Sequence, residues 1–198
     1  MKVPNSAQVT GENDALSLSS TIPTYTNKSP FDATANDISD LICFSHLRWN
    51  FVYQRPQHLL NRAAKNYKVW FIEEPIWSDT MHMNVSQQTD RLTVLVPHLP
   101  HGTKPDEAIQ LQRQLLDEFI AREHINSFIA WYYTPMALLF SDHLKPTLTV
   151  YDCMDELSAF WGAPAQLLEK EKQLIQQAEI MFTGGYSLYE AKRNRHPH

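Results

Sequence analysis

"DLICFSHLRWNFVYQRPQHLL", residues 40–60, opens with a short apolar run, breaks into a polar connection, and closes on a proline followed by apolar residues. The run Leu41 to Ser45 fits a buried strand. Pro56 stands where a first-turn proline belongs, and Leu59, Leu60, Ala63 and Ala64 after it make one apolar helix face. Between them, residues 45–60 hold two histidines, two arginines, two glutamines and a tryptophan. Polar groups so costly to desolvate need partners or a task.

The same alternation runs on. Lys68 to Ile72, Leu92 to Val96, Ser127 to Trp131, Thr147 to Tyr151 and Glu179 to Thr183 are further strand-like runs. Pro105 starts a second helix with Ala108, Leu111, Leu115, Leu116 and Phe119 on one stripe. Pro164 opens a third, with Leu167, Leu168, Leu174, Ile175 and Ala178 facing inward. Strands and helices alternating over such short connections imply parallel strands with right-handed crossovers, hence an α/β, Rossmann-like doubly wound parallel sheet. The domain is expected over residues 39–198, and residues 1–38, rich in Ser, Thr, Asn and Pro, as a disordered leader.

At 198 residues, 43% hydrophobic and 20% charged, the chain suits one globular domain. A net charge of -5 gives no support to nucleic-acid binding. Cys43 and Cys153 lack zinc-site spacing and read as reduced, buried thiols. With neither an 18-residue apolar run nor a signal-like start, the expected location is the cytoplasm, with access to the inner membrane face.

In such a sheet the ligand crevice lies beyond the carboxyl ends of the strands, at the switch in strand order. Three polar clusters fall at strand ends. The first holds His46, a candidate proton carrier, Arg48 and Arg55, planar donors for a phosphate or carboxylate, Trp49, a face on which sugars stack, and Gln57. A helix amino terminus near Pro56 would add its dipole. Alternatively, Trp49 and Phe51 plug the sheet edge and the arginines cap carbonyls. No GxGxxG is present, which disfavours an ordinary dinucleotide cofactor.

The second cluster is YDCMDE, residues 151–156, where Asp152 is placed as the first residue past a strand and partial desolvation makes it a usable base. Asp155 and Glu156 read better as a helix cap and an acidic first turn. In the third, Gly184 and Gly185 allow a close backbone approach, to a ligand or merely within a turn, with Ser187 placed to cap a following helix. Lys192, Arg193 and Arg195 read as a solvated basic surface. Glu73 and Glu74 end the second run, where they bind sugar hydroxyls or cover the sheet edge. His82, His98 and His101 show no ligand spacing.

"DLICFSHLRWNFVYQRPQHLL", "FIEEP", "YDCMDELSAF" and "FTGGYSLYEAKRNRHP" together resemble the amino-terminal half of bacterial glycosyltransferases of the family 1/family 4 type, with the two-domain GT-B architecture. The resemblance implies transfer of a sugar from a nucleotide sugar to the hydroxyl of a glycan or lipid-linked acceptor, with no required metal, often for cell-envelope polysaccharide. It implies that this half holds the acceptor, that the loop with His46, Arg48 and Arg55 reaches toward the donor phosphates, and that Asp152 is the base. It also implies a carboxyl-terminal donor-binding half, without which the site is incomplete. Asn50 and Trp161 depart from the family pattern, which has Asp at the first position and a basic residue or Phe at the second. Two competing readings are a non-catalytic glycan- or protein-binding remnant and a metal-dependent hydrolase using Asp152, Asp155 and Glu156.

Overall fold

The computed structural model describes residues 38–196, so the leader expected over residues 1–38 falls, but for its last residue, outside the described residues. All six apolar runs are strands. In chain order the elements are β1 (Asp40–Phe44), α1 (Arg55–Ala63), β2 (Lys68–Ile72), β3 (Ile76–Ser78), β4 (His82–Thr89), β5 (Leu92–Pro100), α2 (Pro105–Arg122), β6 (Phe128–Tyr132), α3 (Leu138–Ser141), β7 (Leu148–Cys153), α4 (Leu167–Gln177), β8 (Ile180–Thr183) and α5 (Tyr186–Lys192). The sheet order is β3-β5-β2-β1-β6-β7-β8, with β4 pairing β5. All pairs are parallel except the antiparallel β4–β5. β1 therefore lies at the switch: the chain moves from it to β2 on one side and later resumes at β6 on the other.

Alternate strand residues build two cores. Ile42, Phe44, Trp70, Ile72, Ala130, Tyr132 and Tyr151 pack with Leu116 and Phe119 of α2, Leu138 of α3, and Leu174 and Ile175 of α4. Leu41, Cys43, Val69, Phe71, Val94, Ile129 and Val150 pack on the other face with Leu60 of α1. The period-two strands and period-3.6 helices thus meet as a layered α/β domain. Each large side chain fully buried this way contributes roughly 1.5–3 kcal/mol.

Three expectations, on Leu168, Ser187 and Lys192, need correction. Leu168 is 60% exposed, because α4 begins at Leu167 and turns that side chain away from the core met by Leu167, Leu174 and Ile175. Gly185, not Ser187, is the N-cap of α5, and no side chain caps it. Lys192 is buried rather than solvated, held by Glu156 and Glu171. His82 and His98, far apart in sequence, face each other across β4 and β5 with ring centroids 4.2 Å apart.

The two glycines after β8 differ in what they require. A Cβ on Gly184 would collide with the Met154 carbonyl, whereas one on Gly185 would meet nothing within 4 Å. Gly184→Ala should therefore lower stability by about 1–3 kcal/mol through overpacking, and Gly185→Ala by far less. Urea unfolding of the two variants checks this; equal midpoints would refute the contact.

Candidate functional site

The polar loop 45–54 is tied down by its own residues. Gln57, buried in α1, donates from Nε2 to the carbonyls of Trp49 (2.7 Å) and Val52 (3.0 Å), and its Oε1 accepts the Gln54 N–H. Glu73, buried just past β2, accepts the Trp49 N–H at 2.8 Å and the Arg48 guanidinium at 3.0 Å. Arg48 also donates to the Glu74 and Pro75 carbonyls, and Trp49 lies edge-on against Phe71. Arg48, Trp49 and Gln57 thus have internal partners, as the carbonyl-capping alternative has it. Glu73→Ala should cost about 1–3 kcal/mol, since it leaves the Trp49 N–H without its acceptor. Loss of hydrogen-exchange protection at that amide is the expected readout, and intact protection would show that the loop is held elsewhere.

Beyond the carboxyl ends of β1, β6 and β7 a second group gathers. Asp152 lies within β7 rather than just past it, and is fully buried. Arg55, opening α1, clasps it: Nε donates to Oδ2 at 3.0 Å and Nη2 lies 2.9 Å from Oδ1. Burial raises the Asp152 pKa and the Arg55 guanidinium opposes the rise. Tyr133, directly after β6, has a buried hydroxyl beside the Asp152 carboxylate, and burial, with Cys43 and Asp152 nearby, drives its pKa upward.

His46 follows β1 on the same side. Burial lowers its pKa, while the Asp155 carboxylate and the Tyr133 backbone favour the proton. Its Nδ1 is buried without a partner. A half-buried imidazole whose burial favours the neutral form has a ring nitrogen able to accept a proton.

On the α2 and α3 side of the sheet, opposite the face that α1 covers, a cavity of ≈ 330 Å³ opens between the ends of β1, β2 and β6. Glu74 lines it together with Ser45 and Thr134. Burial raises the Glu74 pKa against the pull of Arg48.

The structure brings His46, Arg55 and Asp152 to the switch, with Glu74 at the cavity. Gly184 packs on the Met154 backbone, and Gly185 and Ser187 are exposed at the start of α5. Tyr133 was not anticipated; a tyrosine immediately past the run Ser127 to Trp131 was the available signal. Asp155, expected as a cap, is exposed and acts on His46.

Asp152, Asp155 and Glu156 do not converge, which corrects the hydrolase reading. Asp152 pairs with Arg55, while Glu156 pairs with Lys192 at 2.8 Å and accepts from Ser158 at 2.7 Å. Among the described residues no group of three or more His, Cys, Asp or Glu side chains is placed to hold a metal ion. Nor is any helix among them long and apolar enough to cross a membrane.

No protein-family model matches the chain, and no curated protein does. Solved structures do. A sucrose-phosphate synthase from Thermosynechococcus elongatus matches with a TM-score of 0.56 and 10% identity, over 79% of this chain and 45% of that one. A trehalose-6-phosphate structure from E. coli, bound with UDP-2-fluoro glucose, matches at 0.47 and 10% identity, over 72% and 39%. An alpha,alpha-trehalose-phosphate synthase from Burkholderia xenovorans, in complex with glucose-6-phosphate, matches at 0.42 and 11%, over 71% and 39%. The chain spans less than half the length of each of these proteins. At such identity the first likeness shows the fold: a Rossmann-like α/β domain of the kind that makes up one half of a GT-B glycosyltransferase.

Proposed function

We propose that this chain is the amino-terminal, acceptor-holding half of a glycosyltransferase that moves a sugar from a nucleotide sugar to an acceptor hydroxyl. The observation that carries the reading is the pairing of Arg55 with Asp152, with His46 close by, at the strand ends where the strand order switches. The four sequence motifs and the GT-B-like fold support it.

In this reading His46 removes the acceptor proton. The oxygen then bonds to the anomeric carbon of the donor as the bond to the nucleoside diphosphate breaks. Arg55 and the amino terminus of α1 offset the charge developing on the departing diphosphate. Asp152, fully buried and clasped by Arg55, is the weaker of the two base candidates and serves better to position that guanidinium. A nucleotide sugar is the co-substrate, and a carboxyl-terminal half, on the same or another chain, supplies its site. Phe160, Trp161 and Tyr186, 61%, 102% and 76% exposed in the segments after β7 and β8, are apolar surface for that half to cover. A glycan or lipid-linked acceptor for cell-envelope polysaccharide, met at the inner membrane face, fits the same scheme.

The test is nucleoside diphosphate release by the native polypeptide that carries these residues, assayed with a panel of nucleotide sugars. Release that requires both a donor and a glycan extract is expected. If no donor supports release while the glycan still binds, the chain is the binding remnant.

A further inference from the structure

We infer that the cavity beside the switch selects an uncharged acceptor: a hydroxyl-rich head on an apolar group, not a phosphorylated or carboxylated sugar. This rests on the transferase reading for its role but not for its chemistry. At ≈ 330 Å³ the space suits a small ligand.

Its walls are apolar on the side of α2 and α3, where Ile109, Met136 and Phe140 face it. No lysine, arginine or histidine lines it, whereas Glu73 and Glu74 both do. The Glu73 charge is matched by Arg48 at 3.0 Å. No ion pair balances Glu74, so one carboxylate sets the sign of the site. An anionic substituent would meet that like charge with no cation in the lining to offset it.

Hydrogen-bond valence points the same way. Gln112 donates one amide N–H to the Ala108 carbonyl at 3.1 Å, which leaves its oxygen to accept and its second N–H to donate. Glu74 also presents acceptor oxygens, while Ser45 directs its hydroxyl to the Leu47 carbonyl. The lining offers both acceptors and donors, and sugar hydroxyls can answer both, whereas ionised phosphate oxygens bring no donor for the Glu74 carboxylate.

The experiment compares phenyl β-D-glucoside with its 6-phosphate, two probes that differ at one position, by titration into the full chain followed by NMR. The neutral glycoside should bind with shifts confined to the cavity lining, and the phosphate roughly a hundredfold more weakly. Glu74→Gln should narrow the gap about tenfold, and Ala137→Phe, which fills the cavity, should abolish neutral binding in a variant shown to be folded by its thermal transition. Equal or tighter phosphate binding, or a gap unchanged by Glu74→Gln, would overturn the inference. Since no donor is needed, selective neutral binding without turnover would sink only the transferase reading. Turnover on a phosphorylated acceptor would sink only the selectivity.

Discussion

His46→Gln in the native polypeptide should lower kcat by about 10²–10⁴-fold, the usual worth of a positioned general base. The acceptor proton then has no imidazole to go to, while Arg55, Asp152 and the cavity stay in place. The pH profile carries a sharper version of the result. A base works when unprotonated, so the rate should fall as pH drops through the His46 pKa, which burial sets below the ordinary imidazole value. Asp155 favours the proton on His46. Asp155→Asn should therefore move that acid limb to still lower pH, with a smaller loss at neutral pH. A limb that stays where it was would show that another group titrates there. Asp152→Asn tests the competing assignment. A loss concentrated in donor binding marks Asp152 as the support of Arg55, and a loss confined to turnover returns the base role to it.

Lys192→Met should cost roughly 3–5 kcal/mol of stability, the largest folding effect expected of any single change here. The ammonium is 2% exposed and lies 2.8 Å from both Glu156 Oε2 and Glu171 Oε1, while Glu171 also accepts the Tyr151 hydroxyl at 3.0 Å. Removing the cation leaves the buried Glu171 carboxylate only Tyr151 and the more distant Arg195 guanidinium, at 3.5 Å. Glu156 directly follows Asp155, so its release also loosens the segment that acts on His46. The carboxylates raise the Lys192 pKa despite burial, so its contribution is full below the ordinary lysine value and fades as pH rises through the higher folded value. The Glu156 pKa is lowered, since Lys192 and Ser158 outweigh burial, and its contribution is full above the ordinary glutamate value and lost as pH falls through the lower folded one. The contribution of this cluster should thus be flat near neutrality. Chemical denaturation of native and variant protein across pH measures both effects; a cost within about 0.5 kcal/mol, typical of surface changes, would mean the cluster is not the tie it looks to be.

What was legible in the sequence follows the physics of burial. The central strands announced themselves because both their faces are covered, which demands unbroken apolar runs such as Val69 to Ile72, and the edge strand β8 showed through its apolar residues although Phe182 is exposed. β3 and β4 gave no such sign. His82–Thr89 is polar and largely exposed, and it is a strand only because β5 extends to Pro100 and offers it an edge. Registers, not spacing, bring His82 to His98 and Arg55 to Asp152, and a register is invisible before the sheet is assembled. The buried Lys192 was misread for the same reason, since its partners lie on α4 and after β7.

At the site, the strand-end rule located His46, Arg55 and Asp152, whose types and positions carry the signal. It also pointed to Arg48, Trp49 and Gln57, whose side chains are engaged in holding their own loop. A long polar connection has to satisfy its own backbone, and that need looks in sequence much like a binding site.

The most direct measurement is the mass of a neutral glycoside after incubation with nucleotide sugars and the native polypeptide, run beside His46→Gln. Gain of one sugar unit with the native protein, and little or none with the variant, is the predicted result. Nucleoside diphosphate release with the glycoside unchanged, or equal conversion by both proteins, would contradict the account.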